Sequence, residues 1–225
     1  MNFSDLMNQG KNLLVVSLPE NTYEYARVAV ENGADAVKLH INLRHRVTKQ
    51  IHSSWDTVKP VVEKIKSNLN CAVGIVPGAE TMASEPEIME MLEYGISFYD
   101  VYIDFAPLYL LKSKMCKMFA LNYTYERYMA EQLSSFGADA VEISIINPEN
   151  YGKSLTLMDL IGYKDLIEKM NIPTFVPTQK KIKCDEVKKL IEIGFKGLII
   201  GPIVTGSEIE EFGNIVNKYK KSINQ

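Results

Sequence analysis

Gly33-Ala34-Asp35-Ala36-Val37-Lys38-Leu39-His40-Ile41 closes a helical pattern and opens a short apolar run, and its first five residues recur as Gly137-Ala138-Asp139-Ala140-Val141. Each glycine stands where a helix can end in the left-handed conformation, and each Ala-Val pair begins a buried run. Working outward from these two junctions, apolar runs lie at 13–18, 36–41, 72–76, 101–105, 118–121, 140–145, 174–176 and 197–200. They are continuous rather than alternating, as parallel strands covered on both faces should be. The helical patterns between them carry start signals, Asn21 with Glu24, Ser84 with Glu87 and Ser207 with Glu210, and closing glycines at Gly33, Gly95, Gly137 and Gly194. Eight strand–helix units in 225 residues predict one domain, 1–225, of the α/β class: a closed parallel (β/α)8 TIM barrel, with a doubly wound open sheet as the alternative. The repeated Gly-Ala-Asp leads into the second and sixth runs, four units apart. That spacing fits two duplicated half-barrels, or a turn sequence that simply suits this junction.

Composition narrows the function classes. Apolar residues are 46% and charged residues 24%, ordinary for a soluble globular protein, and a net charge of −3 offers no nucleic-acid footprint. No apolar run approaches the ~18 residues of a membrane span, and residues 1–11 contain no signal-peptide core. Cys71, Cys116 and Cys184 are odd in number and form no CxxC, so they read as reduced thiols of a cytoplasmic protein. Two connections are irregular. Segment 42–54 carries Arg44, His45, Arg46 and His52 and is predicted to lie over the active-site end as a lid. Segment 106–117 leaves room for only a stunted helix. Its Leu108, Tyr109, Leu110 and Leu111 either pack on a second subunit, as in a homodimer, or cap the barrel's own core.

Inward and outward side chains alternate along barrel strands, and chemistry sits at the carboxyl ends. Counting five residues on from each closing glycine gives Lys38, Asp100, Glu142 and Ile199. Counting seven gives His40, Tyr102, Ser144 and Gly201, and counting nine gives Asn42, Asp104, Ile146 and Ile203. This register sets Lys38 and Glu142 facing each other across the barrel. They are either a buried ion pair filling its centre or an acid/base pair tuned by burial. A depressed pKa would also let Lys38 form a Schiff base. His40 and Asp104 lie nearer the mouth as further catalytic candidates, His40 being otherwise a packing residue. Ser17, Asn42, Asn122, Ser144 and Gln179 are candidates for hydrogen bonds to substrate. No tight metal-ligand motif, Gly-x-Ser-x-Gly, Walker A loop or GxGxxG follows any run, so neither a metal nor a cofactor is expected.

Gly197-Leu198-Ile199-Ile200-Gly201-Pro202-Ile203-Val204-Thr205-Gly206-Ser207 reads as strand, glycine turn and helix start, a place where free N–H groups can hold an anion. Gly201, Ile203, Gly206 and Ser207, with Lys180 from the preceding unit, are the candidate phosphate ligands. This ending resembles the phosphate motif of the ribulose-phosphate-binding barrel superfamily. In layout the chain also resembles the N-acetylmannosamine-6-phosphate 2-epimerase family, through Lys11-Asn12-Leu13-Leu14-Val15-Val16-Ser17, Gly74-Ile75-Val76 and Val101-Tyr102-Ile103-Asp104-Phe105-Ala106. The resemblance implies the barrel and the phosphate site. It does not carry the epimerase chemistry, because Pro77 stands where that family has its catalytic Lys, and Gln179-Lys180-Lys181-Ile182 where it has Glu-Gly-Arg-Ile. Lys38-Leu39-His40 is similar to the Lys-x-His of orotidine-monophosphate decarboxylases, but Ala36 and Ile41 replace the carboxylates of that motif. The expected function is an enzyme acting on a small phosphorylated sugar or related phosphate ester by proton transfer, as an isomerase, epimerase or aldolase. The alternatives are a non-catalytic phosphosugar-binding barrel and a subunit whose role is assembly.

Overall fold

A computed structural model describes residues 1–45 and 47–225. Arg46 of the predicted lid lies outside the described residues. The strands in chain order are β1 (Leu13–Ser17), β2 (Ala36–His40), β3 (Leu43–Arg44), β4 (Ile51–His52), β5 (Ala72–Val76), β6 (Phe98–Tyr102), β7 (Cys116–Leu121), β8 (Ala140–Ile143), β9 (Thr174–Pro177) and β10 (Gly197–Ile200). All but β3 and β4 belong to the barrel. They run parallel and close on themselves, β1 pairing with β10 through Leu13–Gly197 to Val16–Ile200 and with β2 on its other side. A short α1 (Phe3–Asn8) precedes the first strand. Helices α2 (Tyr23–Glu31), α3 (Trp55–Asn68), α4 (Glu85–Glu93), α5 (Arg127–Gln132), α6 (Leu157–Ile167) and α7 (Val187–Glu192) fill the connections, and a four-residue α8 (Pro202–Thr205) separates β10 from α9 (Ile209–Ile223). No helix is long and apolar enough to cross a membrane among the described residues.

The repeated Gly-Ala-Asp does the same work twice. Gly33 and Gly137 take φ of +102° and +82°, the region open to glycine at the end of a helix. Two residues on, Asp35 accepts the N–H of Leu14 at 2.8 Å, and Asp139 accepts that of Lys117 at 2.8 Å. Each aspartate therefore ties the base of its own strand to the strand before it.

Two apolar layers result from the alternation along the strands. The outer layer, between barrel and helices, is built on residues such as Leu14, Val16, Val37, Val73 and Leu198. The inner layer holds Leu13, Val15, Phe98, Met118, Phe175 and Ile199, and it is completed by α1, which lies across the amino-terminal end of the barrel. Phe3 is fully buried there, stacked on Phe98 at 4.1 Å between centroids and tilted against Phe175 at 5.6 Å.

Several boundaries differ from expectation. The fourth strand of the barrel begins at Phe98, and Ile103–Phe105 is a 3-10 turn rather than strand. Thr22, not Asn21, caps α2, while Asn21 brackets the backbone of His40. The helix expected from Ser207 begins at Ile209 behind Glu208, because the chain first forms α8 directly after Gly201. Segment 42–54 carries a small hairpin in which β3 pairs antiparallel with β4. In the stunted connection Leu110 is buried and Tyr109 donates to the Ala83 carbonyl, whereas Leu108 remains exposed. The inner plug makes a direct prediction. Phe3→Ala should cost about 3–5 kcal/mol of stability, read from chemical denaturation; a loss under about 1 kcal/mol would mean that α1 does not seal the barrel.

Candidate functional site

The inward positions of the barrel change from apolar to charged halfway up. Above the layer of Phe98 and Met118, Lys38 from β2, Asp100 from β6 and Glu142 from β8 meet at the centre, all buried. The Lys38 ammonium contacts Asp100 and lies 2.8 Å from Glu142 Oε2. Glu142 Oε1 accepts from Ser144 Oγ at 2.8 Å, and that hydroxyl lies 3.2 Å from the Tyr102 phenol. Glycine counting anticipated this layer and the next: Lys38, Asp100, Glu142, His40, Tyr102, Ser144 and Gly201 all line one cavity of about 370 Å³ at the carboxyl end of the barrel. Asp100 fell in the counted layer but was not singled out as a site residue. An acidic side chain two residues before the end of an inward-facing strand was the signal for it.

The triad's protonation follows from charge balance. Burial alone would drive the proton off Lys38, but Asp100 and Glu142 hold its ammonium above the ordinary lysine range. Such a group is no free amine, so Lys38 is not poised to form a Schiff base. Two carboxylates around one buried cation cannot both ionise cheaply. Burial and the neighbouring Glu142 push Asp100 well above the usual carboxylate range. Burial opposes ionisation of Glu142 as well, yet Lys38, Asp100 and Ser144 together hold it below that range. The arrangement these shifts favour is an ammonium, one carboxylate and one carboxylic acid, which carries no net charge.

Above the triad the three histidines of the chain converge. His40 lies 5.1 Å from His45 and 5.2 Å from His52, ring centre to ring centre, joining the end of β2 to the hairpin. His40 Nε2 is 3.2 Å from Ser17 Oγ, and its Nδ1 is buried without a partner among the described residues. His45 Nδ1 accepts the N–H groups of Val47 and Thr48 at 3.3 and 3.2 Å, which leaves its proton on Nε2. Burial, reinforced by the neighbouring His52, Lys38 and Lys49, lowers His45 to about 4. Burial likewise lowers His40 and His52, so the cluster is neutral at physiological pH. Among the described residues no group of three His, Cys, Asp or Glu side chains is arranged to hold a metal ion.

Several expected site residues are placed elsewhere. Asp104 is exposed on the 3-10 turn and bonds to Asn122, whose carbonyl accepts from Thr124, so neither reaches the cavity. Asn42 sits at φ +55° with its N–H on the Ser53 carbonyl, closing the base of the hairpin. The inward alternation ends where the strands end, which is why counting nine residues misplaced Asn42 and Asp104. Gln179 lines the cavity, but its amide is committed to Ile146 N, the Ser144 carbonyl and the Tyr151 hydroxyl. Of the candidate phosphate ligands, Lys180 turns to Asp159 of α6 at 3.1 Å, and the Gly201 N–H donates to Thr178 Oγ1 at 3.0 Å. Gly206 and Ser207 lie past α8, outside the cavity wall, and the Ser207 carbonyl accepts from Tyr25. Ile203 does line the cavity.

The triad predicts a pH-dependent penalty. Lys38→Met leaves Glu142 buried without its cation and should destabilise the fold by about 3–5 kcal/mol at neutral pH. Stripped of its partner, Glu142 takes up a proton as pH falls, so the difference from wild type should narrow towards about pH 5. Denaturation curves at both pH values would show it; an equal difference at both would mean that Glu142 does not depend on Lys38.

No family model matches the chain, and comparison with curated proteins finds no match. Solved structures resemble it along their whole length. A thiamine phosphate pyrophosphorylase from Pyrococcus furiosus is 15% identical with a TM-score of 0.68, over 97% of this chain and 98% of that one. The (S)-3-O-geranylgeranylglyceryl phosphate synthase from Thermoplasma acidophilum, solved with sn-glycerol-1-phosphate, is 16% identical with a TM-score of 0.65, over 99% and 98%. A tryptophan synthase structure from M. tuberculosis, a TrpA mutant in ligand-free form, is 10% identical with a TM-score of 0.76, over 100% of both chains. At these identities the likeness establishes the fold: the chain is a closed parallel (β/α)8 barrel of the TIM type.

Proposed function

We propose that this protein is an enzyme that moves protons on a small phosphorylated sugar or related phosphate ester. The observation that carries the reading is the buried triad, in which one carboxylate is held ionised and its neighbour protonated on the floor of a ligand-sized cavity. Two carboxyl groups whose environments pull their pKa values apart form an acid/base pair. Glu142 would take a proton from a carbon beside a carbonyl, and Asp100 would deliver its own proton to the carbonyl oxygen as the enediol forms. Two of the three N–H bonds of Lys38 go to the carboxylates, and the third is available to the developing oxyanion. Isomerisation and epimerisation beside a carbonyl pass through this step; aldol cleavage reaches the same enediol by breaking a C–C bond and runs the step in reverse when that enediol is protonated. The phosphate ester is supported by the ligand chemistry named for the similar barrels, which includes a thiamine phosphate and a glycerol phosphate.

The test is exchange of carbon-bound hydrogen with D2O, followed by NMR across a panel of aldose and ketose phosphates. Wild type should exchange at least one substrate, and Glu142→Gln should slow that exchange by roughly 10²–10⁴-fold. The rate should rise as Glu142 ionises, below the ordinary carboxylate range, and fall only as Asp100 loses its proton, well above it. Binding of sugar phosphates with no exchange would instead make the protein a phosphosugar-binding barrel whose triad is a charge-balanced core.

A further inference from the structure

The turn after β10 has little left to offer an anion. The Gly201 N–H is spent on Thr178, Pro202 has none, and those of Val204, Thr205 and Gly206 return to the carbonyls of Gly201 and Pro202. Among the described residues of this turn, that leaves the N–H of Ile203. Lys180 is neutralised by Asp159, and Lys38 by the triad. A phosphate carried into this cavity therefore needs its counter-charge from another part of the wall.

The hairpin supplies it. Arg44 of β3 lines the cavity, as do His45 and Val47 beyond it. The Arg44 Nε–H donates to the Lys49 carbonyl at 3.2 Å, which seats the guanidinium on the hairpin's own backbone and leaves its terminal amino groups for a ligand. Among the described residues no carboxylate lies within ion-pair distance of Arg44. Glu20, whose charge acts on His52, is engaged by Gln50 at 2.8 Å. His45 adds a neutral donor, because its two backbone contacts hold the proton on Nε2. Beneath it, His40 lines the same wall, almost fully buried, with its Nδ1 unpartnered among the described residues. A planar guanidinium beside an imidazole donor is suited to phosphate oxygens, which it can hold by two parallel bonds.

We propose that the phosphate of the ligand is bound by the hairpin, through Arg44 and the Nε2–H of His45, and not by the β10 turn. The proposal rests on the phosphate-ester reading above. The group that holds the phosphate then stands on the hairpin that lines the cavity.

Calorimetric titration with inorganic phosphate, and with ribose 5-phosphate against ribose, decides between the seats. Arg44 is exposed, so Arg44→Met leaves the core intact. It should weaken binding of phosphate and of ribose 5-phosphate by roughly tenfold to a hundredfold, the loss of a charged hydrogen-bonding group. Lys180→Met should leave the phosphate affinity within about twofold of wild type, and thermal melting should confirm that both variants fold. If Arg44→Met binds phosphate as wild type does while Gly201→Val does not, the anion sits in the β10 turn and the proposal is overturned. If wild type binds neither phosphate nor ribose 5-phosphate more tightly than ribose, the phosphate-ester reading itself falls, and the hairpin assignment falls with it.

Discussion

A single ammonium in the middle of the barrel constrains everything above it. Lys38 sits directly on the apolar inner layer of the barrel, at a cost of several kcal/mol unless it is compensated on the spot. Two carboxylates, from the strands on either side of β7, provide that compensation, and the excess negative charge is removed by leaving one of them protonated. The three groups come from β2, β6 and β8, so their meeting requires the barrel to be closed and in the observed register. A slip of one residue in any of these strands would send a charge into the outer layer, among Val37, Val73 and Leu198.

The fold and the site are separable in this molecule. Barrels with 10–16% identity share its shape over nearly their whole length, so the sheet and its helical jacket do not specify a ligand. The candidate site of this chain rests on local features: the triad, the cluster of three histidines, and the hairpin that follows β2. The turn after β10 is committed internally. Thr178 stiffens it by taking the Gly201 N–H, and Tyr25 ties down the approach to α9.

The fold was legible because its determinants repeat. Eight apolar runs, closing glycines and the Gly-Ala-Asp junction are each local, and each recurs at the spacing of one unit. The site was legible only as far as strand alternation extends. Lys38, Asp100 and Glu142, then His40, Tyr102 and Ser144, follow from counting along extended chain. Asp104 and Asn42 were misplaced because the backbone turns before it reaches them, one into a 3-10 turn and the other into a left-handed corner. The commitment of Lys180 to Asp159 depends on how α6 lies against the end of β9, a long-range contact with no local signal. The histidine cluster was illegible for the same reason: His45 and His52 reach His40 only because β3 and β4 fold back on each other.

Helix α1 closes the barrel end opposite the cavity, and the aromatic rings of Phe3, Phe98 and Phe175 pack directly beneath the charged layer. The centre is thus a blind well, open to water at one end. Any molecule that fills the mouth cuts the triad off from solvent, and the protons present at that moment are the ones available until it leaves. A proton exchanged with solvent then has to pass through the mouth, beside whatever occupies it.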